Sequence, residues 1–122
     1  MKESYINKVM KESYINYVST FDSYQKHAES TAVYPKENWM EYLSTGMAGE
    51  VGELCSKVAK AYRKDKPVVK EELMAELGDV LWFISEFARN MDYSLSYVAD
   101  QNIIKLKSRK ERGVIQGDGD KR

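Results

Sequence analysis

The stretch that decides the fold reads Glu50-Val51-Gly52-Glu53, then a break at Pro67, then Glu76-Leu77-Gly78-Asp79. Each half carries two carboxylates three residues apart, and residues at that spacing are neighbours on one helix face. The pattern therefore predicts two consecutive helices separated at the proline. If these helices pack antiparallel, all four carboxylates can point into one space. Four uncompensated anions would be very costly there, so a bound cation is their natural partner.

Length and charge limit the class of protein. The chain has 122 residues, which fits one domain, and 43% of them are hydrophobic. The 19 basic and 19 acidic residues cancel, so charge gives no reason to expect binding to nucleic acid or to a membrane surface. No apolar run is long enough to span a bilayer, and no signal-peptide core is evident. We expect a soluble, cytoplasmic protein.

Two nearly identical segments open the chain, MKESYINKV at 1–9 and MKESYINYV at 10–18. A period of nine residues is two and a half helical turns, so the two copies would face opposite sides of one helix. We interpret the first copy as an appendage. The chain is accordingly divided into an N-terminal repeat segment at 1–18, a helical domain at 19–113 and a glycine-rich tail at 114–122.

Hydrophobic periodicity predicts four helices, at about 19–34, 38–64, 69–91 and 95–112. Pro35 should end the first helix, Asn38 and Ser94 are candidate N-caps, and Gly113 is a candidate C-terminal stop. Apolar stripes define the inner faces of the last two helices: Leu73, Leu77, Leu81, Ile84, Ala88 and Met91, then Leu95, Val98, Ile103 and Leu106. We therefore predict an all-α, four-helix bundle-type protomer.

Small residues inside the second helix require an explanation. Gly46, Gly49 and Gly52 recur every third residue, and each costs about 1 kcal/mol relative to alanine in a helix. We expect a close backbone approach, either to another helix or to a ligand, and the alternative is a helix break near Gly46. The single cysteine, Cys55, excludes an internal disulfide and is predicted to be a buried structural thiol.

The chemistry of the acidic residues indicates a hard cation. Carboxylates without histidine or cysteine suit Mg²⁺, with Mn²⁺ as a substitute. A di-iron bundle would add a Glu-x-x-His pattern, which is absent. Asn102, Lys105 and Arg109 share one face of the fourth helix and could hold phosphates. The alternative is that these acidic and basic residues are ordinary solvated side chains.

The flanking residues identify a family. The strings Gly49-Glu50-Val51-Gly52-Glu53-Leu54 and Glu76-Leu77-Gly78-Asp79-Val80-Leu81-Trp82 resemble the paired Glu-x-x-Glu and Glu-x-x-Asp motifs of the MazG-like, all-α nucleoside triphosphate pyrophosphohydrolase superfamily. Further similarity lies in Tyr24-Gln25 through Tyr34-Pro35, in the run from Asn102 to Arg109, and in the closing Gly-Asp-Gly-Asp with Arg122. Phe83 stands where such proteins often have tyrosine.

The resemblance implies a helical, oligomeric enzyme, a homodimer or homotetramer, that cleans nucleotide pools. It would hydrolyse a nucleoside triphosphate to the monophosphate and pyrophosphate. Glu50, Glu53, Glu76 and Asp79 would hold Mg²⁺, and Glu53 or Glu50 would activate the attacking water. The implied substrate contacts are Lys57, Asn102, Lys105, Arg109 and Arg122, the last in a tail that could close over its own or a neighbouring site. A non-catalytic nucleotide-binding or assembly module is the alternative.

Aromatic residues near the motifs are candidates for a base pocket or a subunit contact. They are Trp39, Tyr42 and Trp82. The choice of base, and of sugar, stays open from the sequence.

Overall fold

The computed structural model describes residues 18–122, and every regular element in this range is helical. The elements are α1 (Phe21–Glu29), a 3₁₀ turn (Lys36–Asn38), α2 (Trp39–Arg63), α3 (Lys70–Asn90) and α4 (Leu95–Glu111). The all-α prediction is confirmed for this part of the chain. All but the last residue of the N-terminal repeat lies outside the described residues. Among the helices that are described, none combines the length and apolar character needed to cross a membrane.

The longest helices, α2 and α3, form the hairpin around which the other elements are arranged. Asp65 ends α2 in a left-handed conformation, with φ of 48°, and the Lys66 amide donates to the Ala61 carbonyl at 3.0 Å. This bonding pattern reverses the chain at a helix C-terminus. The short connection to Lys70 then makes α3 antiparallel to α2, which is the condition under which carboxylates of both helices can share one space.

The first helix ends earlier than predicted. It begins with a capping box between Thr20 and Ser23, but it stops at Glu29 rather than near Pro35. The Thr31 hydroxyl donates to the Ala28 carbonyl at 2.7 Å and accepts from the Trp82 indole at 2.8 Å. A threonine side chain that bonds to the backbone competes with helix continuation, so this hydroxyl contributes to ending α1 and ties the following loop to α3.

Polar side chains of α1 hold the start of α4. Gln25 donates to the Tyr93 carbonyl and accepts from the Leu95 amide, each at 3.0 Å. Asp22 accepts from both the backbone amide and the hydroxyl of Ser96. Ser94 caps α4 by accepting from the Tyr97 amide, which confirms the predicted N-cap. Asn38 occupies the N-cap position of α2, as predicted, but its side chain makes no capping hydrogen bond.

The hydrophobic core of the single chain is small. Within residues 18–122, its buried apolar residues are Ala28, Leu43, Ala88 and Leu95. The predicted inner stripes are covered only in part, since Leu77 on α3 is 57% exposed and Ile103 on α4 is 49% exposed. Cys55 is also exposed, so the prediction of a buried thiol is wrong. The reason is that α2 packs along α3 and makes no contact with α1 or α4, which leaves its outer face uncovered.

A buried carboxylate fixes the loop after α1 to α3. Glu86 is fully buried and accepts hydrogen bonds at 2.8 Å from Tyr34 and from two nitrogens of Arg89. The Asn90 amide donates to the Tyr34 hydroxyl at 2.6 Å. Burial alone would raise the pKa of Glu86, but the hydrogen bonds from Arg89 and Tyr34 outweigh it and lower the pKa. The network therefore holds an ionised carboxylate inside the fold.

Replacing this carboxylate should destabilise the chain. We expect Glu86→Gln to lower the free energy of unfolding by about 2 kcal/mol, because it weakens charged hydrogen bonds and leaves Arg89 with only the exposed Glu29 as a counterion. Glu29 is the matched control, since it also faces Arg89, at 3.6 Å, but its side chain is 56% exposed. Glu29→Gln should cost less than about 0.5 kcal/mol. Equal effects of both variants in urea unfolding would contradict the assignment.

The same network predicts a pH dependence. The pKa of Glu86 is lower in the folded chain than in the unfolded one, so its stabilisation is complete above the ordinary glutamate pKa. It is lost as the pH falls through the lowered value. The stability difference between wild type and Glu86→Gln should therefore shrink on acidification below the ordinary range. A difference that stays constant in that pH window would contradict the role of ionised Glu86.

Candidate metal centre

Carboxylates from both helices of the hairpin converge at the seam between α2 and α3. One oxygen each of Glu50, Glu76 and Asp79 lies within 4.8 Å of the others. Glu50 comes from α2, and the other two come from α3 at a spacing of three, which places them on one face. Carboxylate oxygens at this spacing are the ligand set that Mg²⁺ or Mn²⁺ prefers.

The charges at this cluster are only partly balanced. Burial, followed by the negative charges of Asp79 and Glu76, raises the pKa of Glu50. A hydrogen bond from Lys57, at 2.8 Å, lowers the pKa of Glu76. The side chain of Glu76 is only 12% exposed. The single lysine therefore meets an excess of negative charge, which a divalent cation would neutralise.

The fourth predicted ligand, Glu53, lies beside this cluster. In the described part of the chain, the group of converging carboxylates does not include it. Glu53 is exposed, yet its charge contributes to raising the pKa values of Glu50 and of Lys57, so it lies within electrostatic range of both. A carboxylate at this position could contact both solvent and a metal ion held by the other three residues.

The predicted phosphate contacts on α4 lie elsewhere in the single chain. Asn102 and Lys105 line a groove of about 540 Å³ together with Tyr93 and Tyr97. None of the three converging carboxylates lines this groove, and α4 makes no contact with α2. The geometry of one chain thus leaves the groove and the acidic cluster as separate features.

The arginines predicted to bind substrate are engaged with the C-terminal tail. Arg109 is only 5% exposed, and its guanidinium donates to the Asp120 carbonyl at 2.9 Å. Arg122 folds back and donates to the Val114 carbonyl at 3.2 Å. The end of α4 is marked by Gly113 at φ of 71°, as predicted. The tail therefore packs against the end of α4 in this structure.

An aromatic cavity of about 560 Å³ opens one helical turn from the carboxylates. Tyr42, Gly46 and Phe83 form its apolar wall. Gly46 precedes Glu50 by four residues, and Phe83 follows Asp79 by four, so both helices carry the cavity and the cluster on adjoining turns. The polar residues at its rim are Asn38, Glu41 and Thr45.

Among the aromatic residues named from the sequence, only Tyr42 lines this cavity. Trp39 packs edge-to-face on Phe87, with ring centroids 5.2 Å apart. Trp82 packs on Phe83 and donates to Thr31. Sequence reasoning missed the contact between Phe83 and Gly46. The signal that could have found it is the helical glycine, which needs a bulky neighbour on the facing helix.

Gly46 is required for the close packing of the two helices. A Cβ at this position would overlap ring atoms Cε1 and Cζ of Phe83. The predicted close approach is therefore confirmed for Gly46. At Gly49, Gly52 and Gly78 an added Cβ would meet no atom within 4 Å, so contact within the described chain does not explain these residues. Gly49, which directly precedes Glu50 in the chain, borders open space.

These two environments predict opposite effects of alanine. Gly46→Ala should destabilise the chain by about 1–3 kcal/mol, because the phenyl ring must move. Gly49→Ala should stabilise it by about 1 kcal/mol through helix propensity. Urea unfolding of both variants measures the difference. Adding Phe83→Leu should relieve much of the cost of Gly46→Ala, and a cost that persists in full would contradict a clash with the ring.

The converging carboxylates predict a saturable cation site. Mn²⁺ should bind wild type, and Asp79→Asn should weaken binding about tenfold or more, because a carboxylate–cation pair near the surface is worth several kcal/mol. Glu71→Gln, which removes an exposed carboxylate of α3 outside the cluster, is the control. Calorimetry or electron paramagnetic resonance gives the affinities. Equal weakening by both variants would indicate nonspecific attraction rather than a site.

Comparison with known proteins agrees with the resemblance of the motifs. Residues 39–114 match the family described as the MazG nucleotide pyrophosphohydrolase domain. "Gene 37 protein" of Mycobacterium phage L5 is 43% identical over 111 residues, which cover 83% of this chain and 97% of that protein. No solved structure matches significantly. Because the matched region spans more than half of the chain and includes both carboxylate pairs, the chain belongs to the MazG nucleotide pyrophosphohydrolase domain family.

Proposed function

We propose that this protein is a Mg²⁺-dependent nucleoside triphosphate pyrophosphohydrolase that produces the nucleoside monophosphate and pyrophosphate. The observation that carries the proposal is the convergence of Glu50, Glu76 and Asp79 within 4.8 Å at the α2–α3 seam. A purely structural seam has no need for such a group of anions, since like charges held close together repel one another. A divalent ion would neutralise these carboxylates and would in turn bind the oxygens of a polyphosphate.

In the proposed site, Glu50, Glu76 and Asp79 hold the metal, and Glu53 completes the ligand set or acts as the base. When bound, Mg²⁺ neutralises phosphate oxygens and lowers the pKa of water. Glu53, exposed beside the cluster, takes a proton from the attacking water. The water oxygen forms a bond to the α-phosphorus, and the bond from that phosphorus to the bridging oxygen breaks. Its electron pair leaves with pyrophosphate. Glu50 is the alternative base.

The aromatic cavity is proposed to take the nucleobase. Its position one turn from Glu50 and Asp79 suits the separation of a base from its own α-phosphate. Tyr42 and Phe83 offer apolar ring surfaces, and aromatic faces are suitable platforms for bases. Because Phe83 has no hydroxyl, base selection through a hydrogen bond at this position is not available. Asn38, Glu41 and Thr45 are the polar groups that could read the base edge.

We further propose that the active form is a homodimer or homotetramer. The apolar residues left exposed on α3 and α4 support this, since a monomer rarely leaves such surfaces uncovered. Asn102 and Lys105 would then contact phosphates in the site of a partner subunit, with Arg109 and Arg122 ordering the tail that follows. The proposed helical domain remains 19–113, with the repeat at 1–18 and the tail at 114–122 outside it.

The proposal predicts pyrophosphate release from at least one nucleotide. Purified protein with Mg²⁺ or Mn²⁺ should convert a member of a panel of ordinary and modified nucleoside triphosphates. Asp79→Asn and Glu53→Gln should each reduce kcat by about a hundredfold or more, whereas Glu71→Gln should remain within about twofold of wild type, the spread expected for an exposed substitution. Circular dichroism checks that each variant is folded.

Three outcomes decide between the functions. Nucleotide-dependent pyrophosphate release that needs Asp79 supports the enzyme. Calorimetric nucleotide binding without turnover across the panel would favour a binding module instead. Turnover that survives both Asp79→Asn and Glu53→Gln would reject the site assignment.

A further inference from the structure

Cations collect at the turn between α2 and α3. Lys57, Lys60, Lys64 and Lys66 line one cavity of about 220 Å³, in which Glu72 is the acidic residue. We call this the lysine pocket. Within residues 18–122, Lys57 is ion-paired, with Glu76, but the other three lysines of the pocket have no carboxylate within ion-pair distance. In a chain of zero net charge this is a local excess of positive charge.

The local fold brings these lysines together. Lys57 and Lys60 lie three residues apart on one face of α2, and Lys64 follows four residues later as the C-cap of the helix. The left-handed Asp65 reverses the chain, and the bond from the Lys66 amide to the Ala61 carbonyl returns Lys66 across the last turn. A single lysine at a helix C-terminus is stabilised by the negative end of the helix dipole. Neighbouring like charges on one face repel, and a bound polyanion would offset that repulsion.

The lysine pocket adjoins the carboxylate cluster. Lys57 lines the pocket and also bonds to Glu76 at 2.8 Å, so one side chain belongs to both. The aromatic cavity lies on the other side of the cluster, at Gly46. From Gly46 to Lys57 is eleven residues, or about 16 Å of helix at 1.5 Å per residue. Along the hairpin the order is therefore apolar ring surface, carboxylates, lysines.

We propose that the lysine pocket binds the β- and γ-phosphates of the substrate and then the departing pyrophosphate. This inference rests on the proposed function and extends it, because it fixes the direction in which the nucleotide lies along the α2–α3 seam. Lysine ammonium groups are compact charges that bind phosphate oxygens. When the bond between the α-phosphorus and the bridging oxygen breaks, the negative charge moves onto the pyrophosphate. The lysines face that charge and stabilise it.

The pocket also offers a reason for the ion pair at its edge. Lys57 is ion-paired with Glu76, a predicted metal ligand. A cation at the cluster would compete with Lys57 for this carboxylate, and a phosphate in the pocket would give the released ammonium group a new partner. Binding of metal and of polyphosphate would then support each other through this residue.

Pyrophosphate itself is the direct probe. Calorimetric titration of inorganic pyrophosphate with Mg²⁺ into the full chain should show binding, and Lys60→Gln/Lys64→Gln should weaken it about tenfold or more, since each lost contact to a charged phosphate is worth more than 1 kcal/mol. Lys107→Gln/Lys110→Gln removes the same charge from exposed positions of α4 and should change the affinity less than about twofold. Equal affinities of wild type and Lys60→Gln/Lys64→Gln, or no binding by wild type, would overturn the proposal.

A second titration separates bound substrate from free polyphosphate. A nucleoside triphosphate with a methylene group between its α- and β-phosphates should lose affinity in Lys60→Gln/Lys64→Gln, whereas the monophosphate should bind wild type and variant alike. If the variant binds pyrophosphate more weakly but binds the triphosphate analogue as well as wild type does, the pocket takes free polyphosphate. Its assignment to the substrate is then wrong.

Turnover is measured separately. Wild-type turnover combined with lysine-independent pyrophosphate binding would reject the pocket while leaving the proposed function intact. If wild type shows no turnover but binds pyrophosphate in a way that depends on the lysines, the pocket is supported and the proposed function is rejected.

Discussion

Convergence of like charges between α2 and α3 is the constraint on which the candidate site depends. Glu50, Glu76 and Asp79 meet at a seam that is tight one turn away, where Phe83 covers Gly46. Close packing brings the two helices near each other, and burial together with the nearby charges of Asp79 and Glu76 raises the pKa of Glu50, while the bond from Lys57 lowers that of Glu76. The fold therefore holds this group of anions in a state that a cation would relieve.

Glu86, which lies on α3 like Glu76 and Asp79, differs from the carboxylates of the cluster. It is more deeply buried than the carboxylates of the cluster, yet Arg89 and Tyr34 supply its hydrogen bonds and lower its pKa. A structural carboxylate in this fold thus carries its own partners. Among the described residues, Glu50 and Asp79 have no basic partner within ion-pair distance, and Glu76 has Lys57 together with a hydrogen bond to the acidic Glu50. The difference between satisfied and unsatisfied acids separates a structural residue from a candidate ligand more clearly than burial does.

Much of the helical framework could be predicted from the sequence, because its signals are local. Ser94 and Gly113 mark the ends of α4 through short-range hydrogen bonds and backbone conformation. The features that were missed depend on distant partners. The end of α1 depends on Thr31 bonding to Trp82, 51 residues away, and the burial of Glu86 depends on Tyr34.

Burial was the least predictable property. Apolar periodicity identifies the helix face that is expected to be buried. It does not say whether that face packs against the same chain or against another one. Leu77 and Ile103 follow the predicted stripes and are still about half exposed. Cys55 was assigned to a core that α2 does not have on that side. For the candidate site, the spacing of carboxylates predicted that each pair lies on one face of its own helix, but it could not separate Glu53 from the three that converge.

The order in which the types of side chain follow one another along the α2–α3 hairpin favours one orientation of the proposed nucleotide. Ring surfaces, carboxylates and lysines follow one another on the same two helices. A nucleoside triphosphate with its metal has the complementary order of planar base, cation and polyphosphate. The reverse placement would set the base among ammonium groups and the phosphates against Phe83, where their charge would lose its hydration without gaining a partner. Desolvation therefore favours one orientation of the nucleotide even before any single contact is specified.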